Sequence, residues 1–110
     1  MMEWTIEYYN EKVQQTILEL PPTLFAKYLR LTKMMLNVGA NLGGKYTKAM
    51  GEGLFEIRLT GTEGIARVFY CTIVGQKIVM LHSFIKKTQK TPRQEFELAR
   101  SRMRQVKGQT

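Results

Sequence analysis

The sequence predicts an α+β fold in the order β-α-α-β-β-β-α. Three observations predict it. Between Leu54 and Ile85 three strand-like segments follow one another, divided by glycine-containing turns, which is the pattern of an antiparallel meander. From Asn10 to Val38 apolar residues recur at helical spacing in two runs separated by Pro21-Pro22. After Pro92 a third run at helical spacing closes the chain.

The elements follow in order. In Trp4–Tyr9, Trp4, Ile6 and Tyr8 alternate with Thr5, Glu7 and Tyr9, as in a strand. Asn10 is placed to cap a first helix carrying Val13, Ile17 and Leu20. Pro22 can open the second helix, whose stripe is Leu24, Tyr28, Leu31 and Met35, and Gly39 suits its C-terminal end. Ala40 to Gly53 holds four glycines and little apolar patterning, so it reads as a loop. Strands are expected at Leu54–Thr60, Ile65–Val74 and Lys77–Ile85. Thr91 would cap the last helix, with Pro92 at its first position and Gln94 completing a capping box. Phe96, Ala99, Met103 and Val106 form that helix's apolar stripe.

A chain of 110 residues is expected to form one domain over residues 1–110. No apolar run approaches the ~20 residues needed to span a bilayer, and the N-terminus lacks a signal core. No membrane association and a cytoplasmic location are the expectation. The single cysteine, Cys71, lies in a strand-like run and reads as a small packed side chain rather than a nucleophile.

Charge is unevenly placed. Residues 1–57 hold six Lys/Arg and six Glu, whereas residues 58–110 hold eleven Lys/Arg and three Glu. The whole net charge of +8 therefore lies in the second half. Such asymmetry points to nucleic acid or an acidic partner, against the plainer reading of a solvated basic face. There is no aspartate and only one histidine. Two-metal phosphodiesterases need clustered carboxylates, and zinc sites need several Cys or His ligands. The composition argues against a metal-dependent nuclease, and no metal or other cofactor is expected.

The segments Gly53-Leu54-Phe55-Glu56-Ile57-Arg58, Ala66-Arg67-Val68-Phe69-Tyr70, and Leu81 through Pro92 with the following Glu95-Phe96-Glu97-Leu98-Ala99 resemble, in order and spacing, the RelE/ParE toxin superfamily. Within it they are most similar to the HigB-like branch and its phage-derived relatives. The resemblance covers about residues 48–105; before that only the order of strand and helices agrees. It implies a RelE-like toxin fold, an antiparallel sheet with two N-terminal helices packed on it and a C-terminal helix. It also implies a metal-independent mRNA endonuclease that acts in the ribosomal A site, with a cognate antitoxin of the helix-turn-helix, HigA-like kind. The expected partners are therefore that antitoxin, the ribosome and mRNA.

RNA supplies its own nucleophile, the 2′-hydroxyl, so such an enzyme needs a base, charge stabilisation and an acid. The resemblance places Arg58, Arg67 and Lys87 where RelE-type members carry active-site cations, with Lys86 adjacent. Arg67 has the planar fork that suits two phosphate oxygens. Arg58 could act likewise or pair with Glu56. Lys86 and Lys87, crowded by cations, could transfer a proton or hold the backbone. His82 could be acid or base, or a hydrogen-bonded structural histidine. Glu56 could serve as base if desolvated. For RNA binding the candidates are Lys48, Phe69, Lys90 and Arg93, with Phe69 offering a face for a base and Phe84 reading as core. The chain departs from relatives that use a C-terminal tyrosine, since none follows Tyr70; Tyr46 is a possible substitute. Two other functions stay open: a ParE-like toxin that inhibits DNA gyrase, and an inactive basic RNA-binding phage protein.

Overall fold

In the computed structural model, which describes residues 3–87 and 90–108, eight elements form. They are β1 (Thr5–Tyr8), α1 (Glu11–Leu18), α2 (Pro22–Val38), β2 (Thr47–Gly51), β3 (Leu54–Gly61), β4 (Gly64–Ile73), β5 (Lys77–Lys86) and α3 (Arg93–Val106). The strands make one sheet in the order β1-β5-β4-β3-β2. Thr88 and Gln89, which belong to the motif segment ending at Pro92, lie outside the described residues.

The meander stands where alternation placed it, but the sheet is mixed rather than antiparallel. β1 runs parallel to β5, with Thr5 opposite Lys77 and Tyr8 opposite Met80. β2 is a fifth strand within the stretch expected to be loop. It was hidden because it is a largely exposed edge strand, so its residues do not alternate between apolar and polar. The turn that forms it is Glu52-Gly53, with φ of 58° and 90°, the pair of positive values a two-residue hairpin demands. Glycine supplies this at its second position. The β4–β5 loop repeats the device, with Gly75 at φ 92° and Gln76 at 58°.

Helix boundaries follow local chemistry. Asn10 Oδ1 accepts the Val13 N–H at 2.8 Å and caps α1. Pro22 opens α2, and the Gly39 N–H closes it on the Met35 carbonyl at 2.9 Å. α3 begins one residue later than its capping box predicts. Pro92 occupies the cap position and no side chain caps the helix, so Thr91 does not play that part.

Alternation sorts the strands' residues onto two faces. Ile57, Leu59, Ala66, Val68, Tyr70, Ile78 and Met80 meet α1 and α2 through Val13, Ile17, Leu24, Tyr28, Leu31 and Met35. On the other face Leu54, Phe69, Cys71, Val79 and Leu81 meet Ala99 and Met103 of α3. A bulge in β5 sets Tyr70 opposite Met80 but Phe69 opposite His82, leaving Leu81 unpaired. Arg102 of α3 donates to the Leu81 carbonyl at 2.8 Å and satisfies it. Among the described residues no helix is long and apolar enough to cross a membrane.

Candidate active site

α3 covers only part of its face of the sheet. Beyond its edge, the same strand face turns from apolar to charged. Cross-strand register lays the residues out in rows. Lys48, Glu56, Phe69 and His82 form one row; Arg58, Arg67 and Phe84 the next; Thr60, Ile65 and Lys86 the third. Successive rows lie ~7 Å apart along the strands. Long side chains span that gap, so five charged groups from four strands share one patch.

Glu56 is the hinge of the patch. It is 3% exposed, and its Oε1 lies 3.7 Å from Arg67 Nε and 3.8 Å from Arg58 Nε. Both contacts are longer than hydrogen bonds. Among the described residues, Glu56 Oε2 and Arg67 Nε have no hydrogen-bond partner. Buried charged groups are normally satisfied, so unpartnered atoms on both members of a buried pair single this place out as a candidate site. The Arg67 side chain donates from Nη1 to the Ala66 carbonyl at 3.1 Å.

The two arginines differ in access. The Arg58 side chain is 38% exposed, that of Arg67 only 6%. The fork expected to grip phosphate directly is thus mostly covered, and Arg58 is the accessible guanidinium. Burial depresses the Arg67 pKa, Glu56 opposes this, and Arg58 adds to it. Lys86 is also held below the ordinary lysine range. Desolvation is the first cause; Arg67, Arg58 and Lys48 lower it further, while Glu56 opposes them.

Of the two lysines that end β5, register separates one from the other. Lys86 stands opposite Ile65, on the face shared by Arg67. Lys87 follows the strand's last residue and is exposed. Lys48 is exposed opposite Glu56. Lys90 and Arg93 are exposed in the segment leading into α3 and at its first turn.

His82 lies on the same face but is engaged elsewhere. Its Nε2 is 2.6 Å from Glu95 Oε2, which ties β5 to the start of α3. Phe69 is fully buried, stacked under Phe84 at 5.9 Å and against the edge of Phe96 at 6.3 Å. It cannot stack on a base. Phe84, read as core from the sequence, packs against the core beneath α3 but is only partly buried, opposite Arg67 on β4. Glu95 was present in the matching motif, but nothing in the sequence signalled its bond to His82. Cys71 is fully buried and its pKa is raised by that burial, against a lowering by Lys107, as an inert thiol requires.

A family model, the phage derived protein Gp49-like (DUF891), matches residues 15–104. The chain belongs to this family. Gp49-like proteins fall in the RelE/HigB-like group of toxin–antitoxin toxins. The match runs from within α1 to near the end of α3, so every charged residue of the patch in this Gp49-like protein lies inside it. No curated protein matches the chain.

Proposed function

We propose that this Gp49-like protein is the toxin of a type II toxin–antitoxin pair and that it cuts mRNA in the ribosomal A site by attack of the RNA's own 2′-hydroxyl. The single observation that carries this reading is the patch in which Glu56 holds Arg58 and Arg67 while both, with Lys48, crowd Lys86.

Attack of the 2′-oxygen on phosphorus expels the 5′-oxygen of the next nucleotide. It leaves a 2′,3′-cyclic phosphate and a 5′-hydroxyl. Negative charge accumulates on the non-bridging oxygens as the bond forms. Arg58, partly exposed, meets those oxygens directly, and Arg67 adds its field from beneath in a site of low dielectric. Lys86 protonates the departing 5′-oxygen. With its pKa lowered, Lys86 gives up its proton more readily than an ordinary lysine. Glu56 holds the two guanidiniums. It is the nearest carboxylate to the 2′-hydroxyl proton once Arg58 turns onto the phosphate. Lys48, Lys87, Lys90 and Arg93 add phosphate contacts whose strength falls with salt.

A helix-turn-helix antitoxin would silence the protein by covering these cations or by blocking its docking on the ribosome. The test is brief induction in bacteria followed by mapping of transcript ends. New ends inside translated codons, absent with Arg58→Ala, are expected. Arrested replication with intact mRNA would replace this reading with gyrase inhibition, and growth without either effect would favour an inactive RNA-binding protein.

A further inference from the structure

A second basic site lies beside the first. A cavity of about 270 Å³ opens between α2, the segment before β2, and β3. That is just below the ~300 Å³ at which small-ligand sites begin. Lys27 and Arg30 line it from α2, Lys45 and Tyr46 from the segment before β2, and Arg58 and Thr60 from β3. Among the described residues, no acidic one lines it. Among the described residues, no carboxylate lies within ion-pairing distance of Lys27, Arg30 or Lys45.

Two hydrogen bonds fix the walls, and only one of them uses a cationic group. Lys27 Nζ donates to the Thr60 carbonyl, bracing α2 against β3. The Arg58 N–H donates to the Tyr46 carbonyl at 2.8 Å and pins the tyrosine beside that strand. The Tyr46 ring is half-buried, with Lys45 Nζ 5.6 Å from its centre. Four cations around one hollow repel one another, and a bound anion relieves that repulsion. An aromatic face among them adds a surface on which a base can stack. Cations alone would suit any phosphate; cations with a ring suit a nucleotide.

Arg58 belongs to both sites. It flanks Glu56 on one side and lines the cavity on the other. We infer that the cavity receives a nucleotide of the same single-stranded RNA, adjacent to the phosphate held at Arg58: its phosphate between Lys27, Arg30 and Lys45, its base against Tyr46. This rests on the reading that the Arg58 patch engages RNA. It makes the cavity the place where the protein grips the strand rather than cuts it.

The test uses a short single-stranded RNA carrying 2′-O-methyl groups throughout, which has no nucleophile and cannot be cut. Its binding to the full chain is measured by fluorescence anisotropy over a salt series, with an RNA duplex of the same length as the second arm. Arg30→Ala with Lys45→Ala removes two exposed side chains. It should weaken single-strand binding and flatten the slope of log affinity against log salt by about 1.4. Tyr46→Leu should weaken it between about 5- and 150-fold, while Tyr46→Phe binds as the unaltered protein does. Unchanged slope and affinity in the double variant would overturn the inference. So would no binding of the single strand by the unaltered protein, or a loss confined to the duplex. The readout is independent of cleavage. A protein that cuts no mRNA, yet loses single-strand binding as described, would refute the nuclease reading and leave the cavity's role standing.

Discussion

The two faces of the sheet are built from alternate residues of the same strands and have opposite characters. Toward α1 and α2, β3 and β4 present Ile57, Leu59, Ala66, Val68 and Tyr70, all fully buried. Toward the other side the same strands present Glu56, Arg58 and Arg67. The change is abrupt along β4 as well, where Cys71 and Phe69 lie under α3 and Arg67 comes next on that face. The comparison teaches where stability and chemistry are separated. One face can be apolar throughout because two helices cover it. The other is covered only as far as α3 reaches, and charge begins there. α3's position is itself held by specific bonds: His82 to Glu95, Arg102 to the Leu81 carbonyl, and Arg100 to Glu52 at 2.6 Å.

Substitutions on the two faces should therefore fail in different ways. Arg67→Ala should have the largest effect, because it leaves Glu56 buried with one distant partner. A stability loss of about 3–5 kcal/mol is expected in a denaturant melt, together with loss of cleavage. Adding Glu56→Gln should recover part of that stability but none of the cleavage. Full recovery of both would mean that the pair is merely structural.

Arg58→Ala should separate chemistry from folding. Removing a donor to the developing charge typically slows such reactions about 10²–10³-fold, equivalent to about 2.7–4 kcal/mol at the barrier. Its exposed ion pair contributes only about 0–1 kcal/mol to stability. The measurement is cleavage rate in a reconstituted translation reaction beside a thermal melt. A large drop in melting temperature with little change in rate would erase the contrast between the faces.

On the α1/α2 face, Ile57→Val should cost about 0.5–1.5 kcal/mol of stability and leave the rate per folded molecule unchanged. The smallest effect is expected from Lys48→Ala. It removes one of the cations that depress Lys86, so the Lys86 pKa rises toward the ordinary lysine value. If Lys86 is the acid, activity falls as pH rises through its pKa, and the alkaline limb should move to higher pH in this variant. A limb that stays in place, or moves down, would remove Lys86 from proton transfer.

What could be read beforehand follows from period and reach. β3, β4 and β5 were legible because alternation and glycine turns act within a few residues, and their register then brings Arg58 opposite Arg67. β2 was illegible because an exposed edge strand carries no apolar alternation. The parallel pairing of β1 with β5 joins residues about seventy apart, and no local signal encodes it. In the patch, residue types were readable but access was not. Arg67 and Phe69 are far less accessible than their residue types suggest, and Phe84 is only partly covered although it packs against the core beneath α3. Burial at these positions depends on which side chains the sheet register and α3 set beside them, which residues in β4 alone do not record. Lys86 could be told from Lys87 only once the β5 bulge fixed which lysine faces Arg67.

The central claim is that guanidinium and ammonium groups on the uncovered half of the sheet drive attack by the RNA's own hydroxyl. The most direct measurement is the chemistry of the fragment ends formed when purified protein acts on translating ribosomes. The account predicts upstream fragments ending in a 2′,3′-cyclic phosphate and downstream fragments starting with a 5′-hydroxyl, with neither produced by Arg58→Ala. Fragments with a 5′-phosphate and a 3′-hydroxyl would show water as the nucleophile and contradict it.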